Sequence, residues 1–338
     1  VLETSDRALC EVFDLAMLDL DGVVYIGRAA VPGVAEALRA VRSRMHLAFV
    51  TNNAARPPAE VAEHLASLGI EATPEDVVTS AQAAASVLRE RFGSGAPIAA
   101  LGADGLHRAL LAEGLEPVDV DADAVAAVTG YGPDVVWRDI MRLAVRIRDG
   151  LPWVASNTDG SIPTPYGEAP GHGVLVEMVS RFSAVTPTVA GKPSPPLLQE
   201  TIRRVGGERP LMVGDRLDTD IEGGRNVGVS TLLVLTGVTG LPEVAAAAPE
   251  QRPSFIAAGI DGLLTAHSTP RQDGDAAVLG GWRAQIADGD LRVEGAGQVD
   301  DWWRAVAVAC WRHLDATGTP ATTTGVTPPV PVGTARTR

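Results

Sequence analysis

The chain has 338 residues, with 42 acidic against 28 basic side chains and a formal charge of −14. At 46% apolar, 4% aromatic and 21% charged, it has the composition of an ordinary globular protein of about two domains, which excludes global disorder and collagen-like or mucin-like architectures. The acidic balance argues against a nucleic-acid partner, which needs a basic stripe to displace counterions from phosphates; it leaves small anions open, because local fields can oppose net charge.

Cys10 and Cys310 stand at opposite ends of the chain, so there is neither a disulfide framework nor a CxxC metal pair, and a reducing compartment is expected. No run approaches the roughly 18 uncharged apolar residues of a membrane span, and residues 1–11 lack the basic-then-apolar pattern of a signal segment; the expected location is cytoplasmic, with no membrane partner. The basic residues are 27 Arg and a single Lys, Lys192.

In chain order, the apolar run 12–20 ends in acid before Gly22 and reads as a buried parallel strand. Pro32 and Gly33 open an amphipathic helix with Val34, Leu38 and Val41 at helical spacing, and 46–50 follows as a second apolar strand ending in Thr51, Asn52 and Asn53. The alternation continues with a helix near 58–68, a strand near 97–101, a helix near 104–113 and a strand near 124–131. Further strands are expected near 151–155, 188–190, 211–214 and 231–235, with helices between. This pattern predicts an α/β fold, a doubly wound parallel sheet. Beyond Thr265, four of the six Trp (Trp282, Trp302, Trp303, Trp311) fall in one tract with a turn signal at Asp288-Gly289, predicting a hairpin and then a helix. After Ala316 the chain is rich in Thr, Pro, Gly and Val, and a disordered tail is expected.

Four strand ends carry chemistry. Asp19-Leu20-Asp21-Gly22 sets two acids two residues apart at the carboxyl end of a strand, where alternation would put both on one face and where α/β sheets place ligands; their repulsion implies a divalent cation or a shared proton, against the plainer alternative of a solvated turn. Thr51-Asn52-Asn53 offers hydroxyl, amide and backbone N–H groups that suit phosphate oxygens, with a helix cap before Pro57 and Pro58 as the alternative. Gly191-Lys192-Pro193-Ser194-Pro195 is no Walker loop, since Thr186 and Pro193 stand where such a loop needs Gly and Ser or Thr. A lone ammonium after a strand still suits phosphate. Gly214-Asp215-Arg216-Leu217-Asp218-Thr219-Asp220 follows another strand; capping accounts for one acid but not three, and Asp215 is the expected direct metal ligand.

In this order and spacing, the four motifs resemble those of the haloacid dehalogenase superfamily of phosphotransferases. Within it they resemble the NagD and p-nitrophenyl-phosphatase-like branch, with cap-end matches at Ser156-Asn157-Thr158-Asp159 and Pro170-Gly171-His172-Gly173. The resemblance implies a Rossmann-like core over 1–78 and 186–268 with an inserted α/β cap over 79–185. A C-terminal hairpin-helix extension over 269–317 and a tail over 318–338 complete the expected organisation. It further implies that Asp19 is the nucleophile, forming an aspartyl-phosphate, and that Asp21 is the general acid and base. Asp19, Asp21 (through its carbonyl) and Asp215 would hold Mg²⁺, with Mn²⁺ as the alternative, and Asp220 would orient a bound water. Thr51, Asn52, Asn53 and Lys192 would hold the phosphoryl group, with Arg56 as an added anion contact or else a solvated side chain.

The cap departs from the branch at Gly130-Tyr131-Gly132-Pro133, where many relatives carry an aspartate two residues after the glycine. Tyr131, Trp137 and the loop 158–172 are the candidates for leaving-group contacts, packing between cap and core being the plainer role for the two aromatics. On the C-terminal helix Trp302, Val306, Ala309 and His313 share a face with Trp303 and Cys310 alongside, which predicts a docking face. The tract resembles the incomplete acetyltransferase-like extension of actinobacterial glycerol-3-phosphate phosphatases, and Gly295-Ala296-Gly297 is too poor a pyrophosphate loop for acetyl transfer. The expected substrate is therefore a small phosphate monoester, glycerol 3-phosphate first, with 2-phosphoglycolate or pyridoxal phosphate as alternatives. The rival from another class is a catalytically silent binding protein on the same frame. Homo-oligomerisation is left open.

Overall fold

A computed structural model describes residues 2–164 and 166–329 of the chain. They form two compact units, one of residues 2–47 with 207–329 and the other of the described residues within 48–206. The chain passes between them within strand His46–Thr51 and again after helix Pro196–Val205.

The first unit is built on parallel strands. Leu15–Leu18 pairs with Pro210–Gly214, which pairs with Ser230–Val234, which pairs with Phe255–Ala257. These runs are buried nearly throughout, as strands covered on both faces must be. Helix Val34–Arg42 starts at Gly33, which takes the left-handed conformation at φ +80, and buries Val34, Ala37, Leu38 and Val41 at i, i+3 and i+4 spacing. In register, Leu18 lies beside Val213, so the residues after each strand, Asp19 and Asp215, emerge at the same carboxyl edge.

The C-terminal tract belongs to this unit. The expected hairpin is present, Trp282–Ala287 against Asp290–Gly295, turning on Asp288 and Gly289, both at positive φ. Two further strands, Arg271–Asp273 and Ala276–Leu279, extend it to a four-stranded antiparallel sheet. They are too short for a readable alternation, and Arg271–Asp273 is exposed throughout. Helix Val299–Thr317 lies on this sheet, and the predicted docking face is buried against its own unit. Trp302, Trp303, Val306, Cys310 and Trp311 form one cluster with Leu233, Ile256, Leu241 and Val244. The disordered tail expected from 318 is corrected for residues 318–329: Ala321 is buried in that cluster, and Thr322 exchanges main-chain hydrogen bonds with Gly289 and Leu291. An apolar Cβ with a place in the core outweighs a low-complexity composition. Residues 330–338 lie outside the described residues.

The second unit carries a five-stranded parallel sheet in the order Thr188–Val189, Trp153–Ala155, Ala126–Thr129, Pro97–Leu101, Glu116–Val118. The chain moves one way from the fourth of these strands to the fifth, then back past it, the reversal that puts helices on both faces of a doubly wound sheet. Strand His46–Thr51 pairs in this unit with Val77–Thr79, whose last residue caps helix Ser80–Phe92 through a reciprocal Thr79–Gln82 box. That helix packs on helices Asp104–Ala112 and Pro196–Val205, which joins residues 186–206 to the same unit as the inserted stretch. The hairpin Ser161–Thr164 with Gly167–Pro170 precedes helix His172–Ser183.

Candidate active site

In the first unit three carboxylates converge. Asp19, Asp215 and Asp220 each bring an oxygen within 4.8 Å of the others, a donor set suited to a hard divalent cation and costly without one. Asp19 is the first residue past its strand, and its N–H continues the ladder to the Val213 carbonyl at 2.9 Å. Asp215 is fully buried. Its Oδ2 accepts the Val238 N–H at 2.7 Å, and its carbonyl accepts the Thr239 N–H at 3.2 Å. Asp220 lies in the π-helical turn Leu217–Ile221, and its Oδ2 accepts the Arg216 N–H at 3.1 Å. Asp218 is drawn elsewhere: the Arg216 guanidinium donates to both of its oxygens, at 3.1 and 2.8 Å. Burial pushes the Asp218 carboxyl up, but the hydrogen bonds and charge of Arg216 outweigh it and hold the group below the usual carboxylate range.

Asp21 is placed differently from the expectation that strand alternation relates it to Asp19. The strand stops at Leu18, and Asp21 lies exposed in a turn closed by the Gly22 N–H donating to the Tyr25 carbonyl at 2.8 Å. Gly22 sits at φ +84, and a Cβ there would run into the Asp215 carboxylate, so only glycine lets the two loops approach.

In the second unit the two phosphate motifs come together. Asn52 Oδ1 accepts the Lys192 N–H at 2.8 Å, and Asn52 Nδ2 donates to the Lys192 carbonyl at 3.0 Å and to Asp159 Oδ1 at 2.9 Å. Thr51 Oγ1 accepts the Asn53 N–H at 3.1 Å, so its own hydroxyl proton is left to donate. Asn53 Oδ1 caps the Ala55 N–H at 2.8 Å, a local turn. Lys192 is 2% exposed, although lysine rarely sits so deep. Arg56 is half-buried three residues past Asn53.

The leaving-group candidates separate. Trp137 is 60% exposed at the start of its helix rather than packed, and Tyr166 in the hairpin is 84% exposed. His172 is buried: Nδ1 meets the Asn157 carbonyl at 2.9 Å, and desolvation lowers its pKa to about 4, so the ring is neutral at ordinary pH.

Two groups were not singled out from the strand ends. One is the loop 236–240, where Thr236 Oγ1 donates to the Gly22 carbonyl at 2.6 Å and Gly237 abuts the Asp215 carboxylate. The threonine-glycine content of Thr236-Gly237-Val238-Thr239-Gly240, directly after an apolar run, could have flagged it. The other is Asp159, whose match to a cap motif gave no role.

Comparison with known proteins follows the same outline. A family model for haloacid dehalogenase-like hydrolases matches residues 16–116, and an HAD-hydrolase-like model matches 189–263. The D-glycerol 3-phosphate phosphatase of Mycobacterium tuberculosis is 39% identical over 90% of this chain and 88% of its own. The acid sugar phosphatase of Staphylococcus aureus is 36% identical over 68% of this chain and 88% of its own. Among solved structures, the glycerol phosphate phosphatase of Mycobacterium tuberculosis in complex with magnesium aligns with a TM-score of 0.80 at 39% identity, over 90% of this chain and 92% of that one. A double mutant of the thermostable NPPase of Geobacillus stearothermophilus aligns with a TM-score of 0.67 at 31% identity, over 74% of this chain and 97% of that one.

Proposed function

The chain belongs to the haloacid dehalogenase-like hydrolases, and from that membership we propose that it is a cytoplasmic, Mg²⁺-dependent phosphatase of glycerol 3-phosphate. The observation that carries the reading is the convergence of Asp19, Asp215 and Asp220 at the carboxyl edge of one parallel sheet. The choice of substrate is supported by the extent of the likeness. The Mycobacterium tuberculosis enzyme matches over 90% of this chain, whereas the sugar phosphatase matches over 68%. The cytoplasmic location accords with two buried, unbridged cysteines. No helix among the described residues is long and apolar enough to cross a membrane.

Asp19 attacks phosphorus in line, and the ester oxygen leaves, which splits hydrolysis into two displacements through an aspartyl-phosphate. Asp21, exposed in its turn, gives the leaving alkoxide a proton and then takes one from the water that attacks the intermediate. The Thr51 hydroxyl donates to a phosphoryl oxygen, and Lys192 offsets the charge of a dianion brought among acids, with Arg56 as a further anion contact. The carboxylates of Asp19 and Asp215 and the carbonyl of Asp21 would hold the cation, with Asp220 completing the acidic set. When bound, it neutralises charge on the phosphoryl group. Residues 79–185 serve as the cap, a reading supported by the parallel sheet that this stretch largely supplies.

Phosphate release from glycerol 3-phosphate, 2-phosphoglycolate, pyridoxal phosphate and p-nitrophenyl phosphate, with Mg²⁺ and with a chelator, tests all of this. Glycerol 3-phosphate is expected to give the highest kcat/KM, chelation to abolish turnover, and Asp19→Asn to lower kcat by about a thousandfold or more. Turnover that survives Asp19→Asn would overturn the mechanism. A higher kcat/KM for another ester would overturn the substrate.

A further inference from the structure

Asn52 follows Thr51 in a phosphate motif, yet its carboxamide faces the protein. Both of its amide protons are taken, one by Asp159 Oδ1 at 2.9 Å and one by the Lys192 carbonyl at 3.0 Å, while its oxygen accepts the Lys192 N–H at 2.8 Å. The partners dictate which end is which, since an N–H needs an oxygen and a carboxylate oxygen needs a donor. Asn52 therefore grips the Lys192 peptide at two points, as a neighbouring strand would, across 140 positions of sequence.

What holds the gripping side chain comes from the stretch between strand Trp153–Ala155 and helix His172–Ser183. Asn157 Nδ2 donates to the Asn52 carbonyl at 2.7 Å, which also accepts from the Ser80 hydroxyl. Asn157 Oδ1 in turn accepts the Asp159 N–H at 3.2 Å, and the neutral His172 ring fastens the Asn157 carbonyl at 2.9 Å. The fit leaves no slack at Gly191, where a Cβ would stand 2.7 Å from Asn52 Oδ1 and from the Ser156 carbonyl. Turned over, the Asn52 amide would set its oxygen against the Asp159 carboxylate and the Lys192 carbonyl. Asp159 and the Lys192 main chain together select the working orientation, and Asp159 holds it from the side away from Lys192's own backbone.

We propose that Asp159 is a positioning residue for Lys192, acting through the Asn52 carboxamide. The catalytic side of this proposal rests on the reading of Lys192 as the counter-charge to phosphate. Its physical side does not, because it concerns only where the Lys192 peptide is held. A side chain that aims the phosphate's counter-charge affects every ester alike, whereas one that touches leaving groups discriminates among them.

Lys192 is the only lysine in the chain, so selective [15N]lysine labelling of the full-length protein yields one backbone amide signal. Asp159→Ala is expected to move that signal and to raise its hydrogen-exchange rate about tenfold, the scale set by losing one partly buried, charge-assisted hydrogen bond. It is also expected to lower kcat/KM about tenfold or more, equally for p-nitrophenyl phosphate and glycerol 3-phosphate. Asp159→Asn keeps a side-chain carbonyl to accept the same proton, and both the signal and most of the activity should return. An unmoved Lys192 signal in Asp159→Ala, a loss that differs between the two esters, or an Asn variant as impaired as the Ala variant would each overturn the proposal. Should the wild-type chain hydrolyse no ester, the phosphatase reading fails, while the amide signal still decides whether Asp159 holds Lys192.

Discussion

His172 and His267 are two side chains whose protonation is coupled to folding in a direction burial makes plain. Desolvation lowers each imidazole to about 4, with the Asn157 carbonyl pulling His172 back up a little, and with the charge of Arg304 lowering His267 further while the Gly262 carbonyl raises it. In the unfolded chain each titrates near the ordinary imidazole value of 6.5. Between these values the unfolded state binds the extra proton. The stabilisation is complete above pH 6.5 and is lost as pH falls toward 4, at about 1.4 kcal/mol per pH unit for each histidine. Urea melts of wild type, His172→Gln and His267→Gln at pH 7, 5.5 and 4.5 measure it: each variant should show a shallower loss than wild type. Parallel curves would contradict the assignment.

At the scale of elements, the carboxylate cluster depends on loops rather than on strands alone. Parallel register delivers Asp19 and Asp215 to one edge, but the loop 236–240 sets the Asp215 side chain, by the Val238 N–H at 2.7 Å and by the close approach of Gly237. Gly237→Ala drives a methyl into that carboxylate. The expected result is a drop in kcat/KM of about ten- to a hundredfold and a weaker apparent affinity for Mg²⁺, the usual cost of misplacing a reacting group by around 1 Å. Mg²⁺ titrations of activity on the variant test this, and a wild-type Mg²⁺ dependence would contradict it.

This element also marks how far the sequence could be read. Asp19, Asp215 and Lys192 were legible because each follows an apolar run or a glycine after one, and the residue past a parallel strand stands at the ligand edge. Asp159 and Val238 follow no such rule. Their partners lie 107 and 23 positions away, and only the register of folded elements brings them into contact. The reasoning from strand alternation for Asp21 failed for a related reason: the strand ends one residue before Asp19.

Across the molecule, the C-terminal tract is part of the hydrophobic core of the first unit. Its Trp311 Nε1 donates to the Val244 carbonyl at 2.7 Å, Arg304 Nε donates to the Ile256 carbonyl at 3.0 Å, and Asp300 Oδ1 accepts the Ala258 N–H at 2.8 Å. Arg252 binds Asp315 through two hydrogen bonds, at 2.8 and 2.7 Å, and lies over the Trp311 ring. Removing residues 269–338 would bare Ile256, Leu241 and Val244 together. The shortened chain is expected to melt about 10 °C or more below wild type and to bind a hydrophobic dye, since an exposed apolar patch of that kind destabilises and aggregates. A melting temperature equal to wild type would show the tract to be an appendage.

The sequence by itself determined the alternation of buried strands and helices, the acids and the lone ammonium at strand ends, and hence the class of chemistry, because these depend on local periodicity and on what a parallel sheet does with the residue that follows each strand. Tertiary structure alone decided that the tryptophan-rich tract completes a core, that Asp218 turns to Arg216 while Asp220 joins the cluster, and that Asn52 grips Lys192 under the hold of Asp159. Apart from the Arg216–Asp218 pair, two residues apart, those outcomes rest on contacts between residues distant along the chain, where geometry in three dimensions, and not spacing in one, selects the partner.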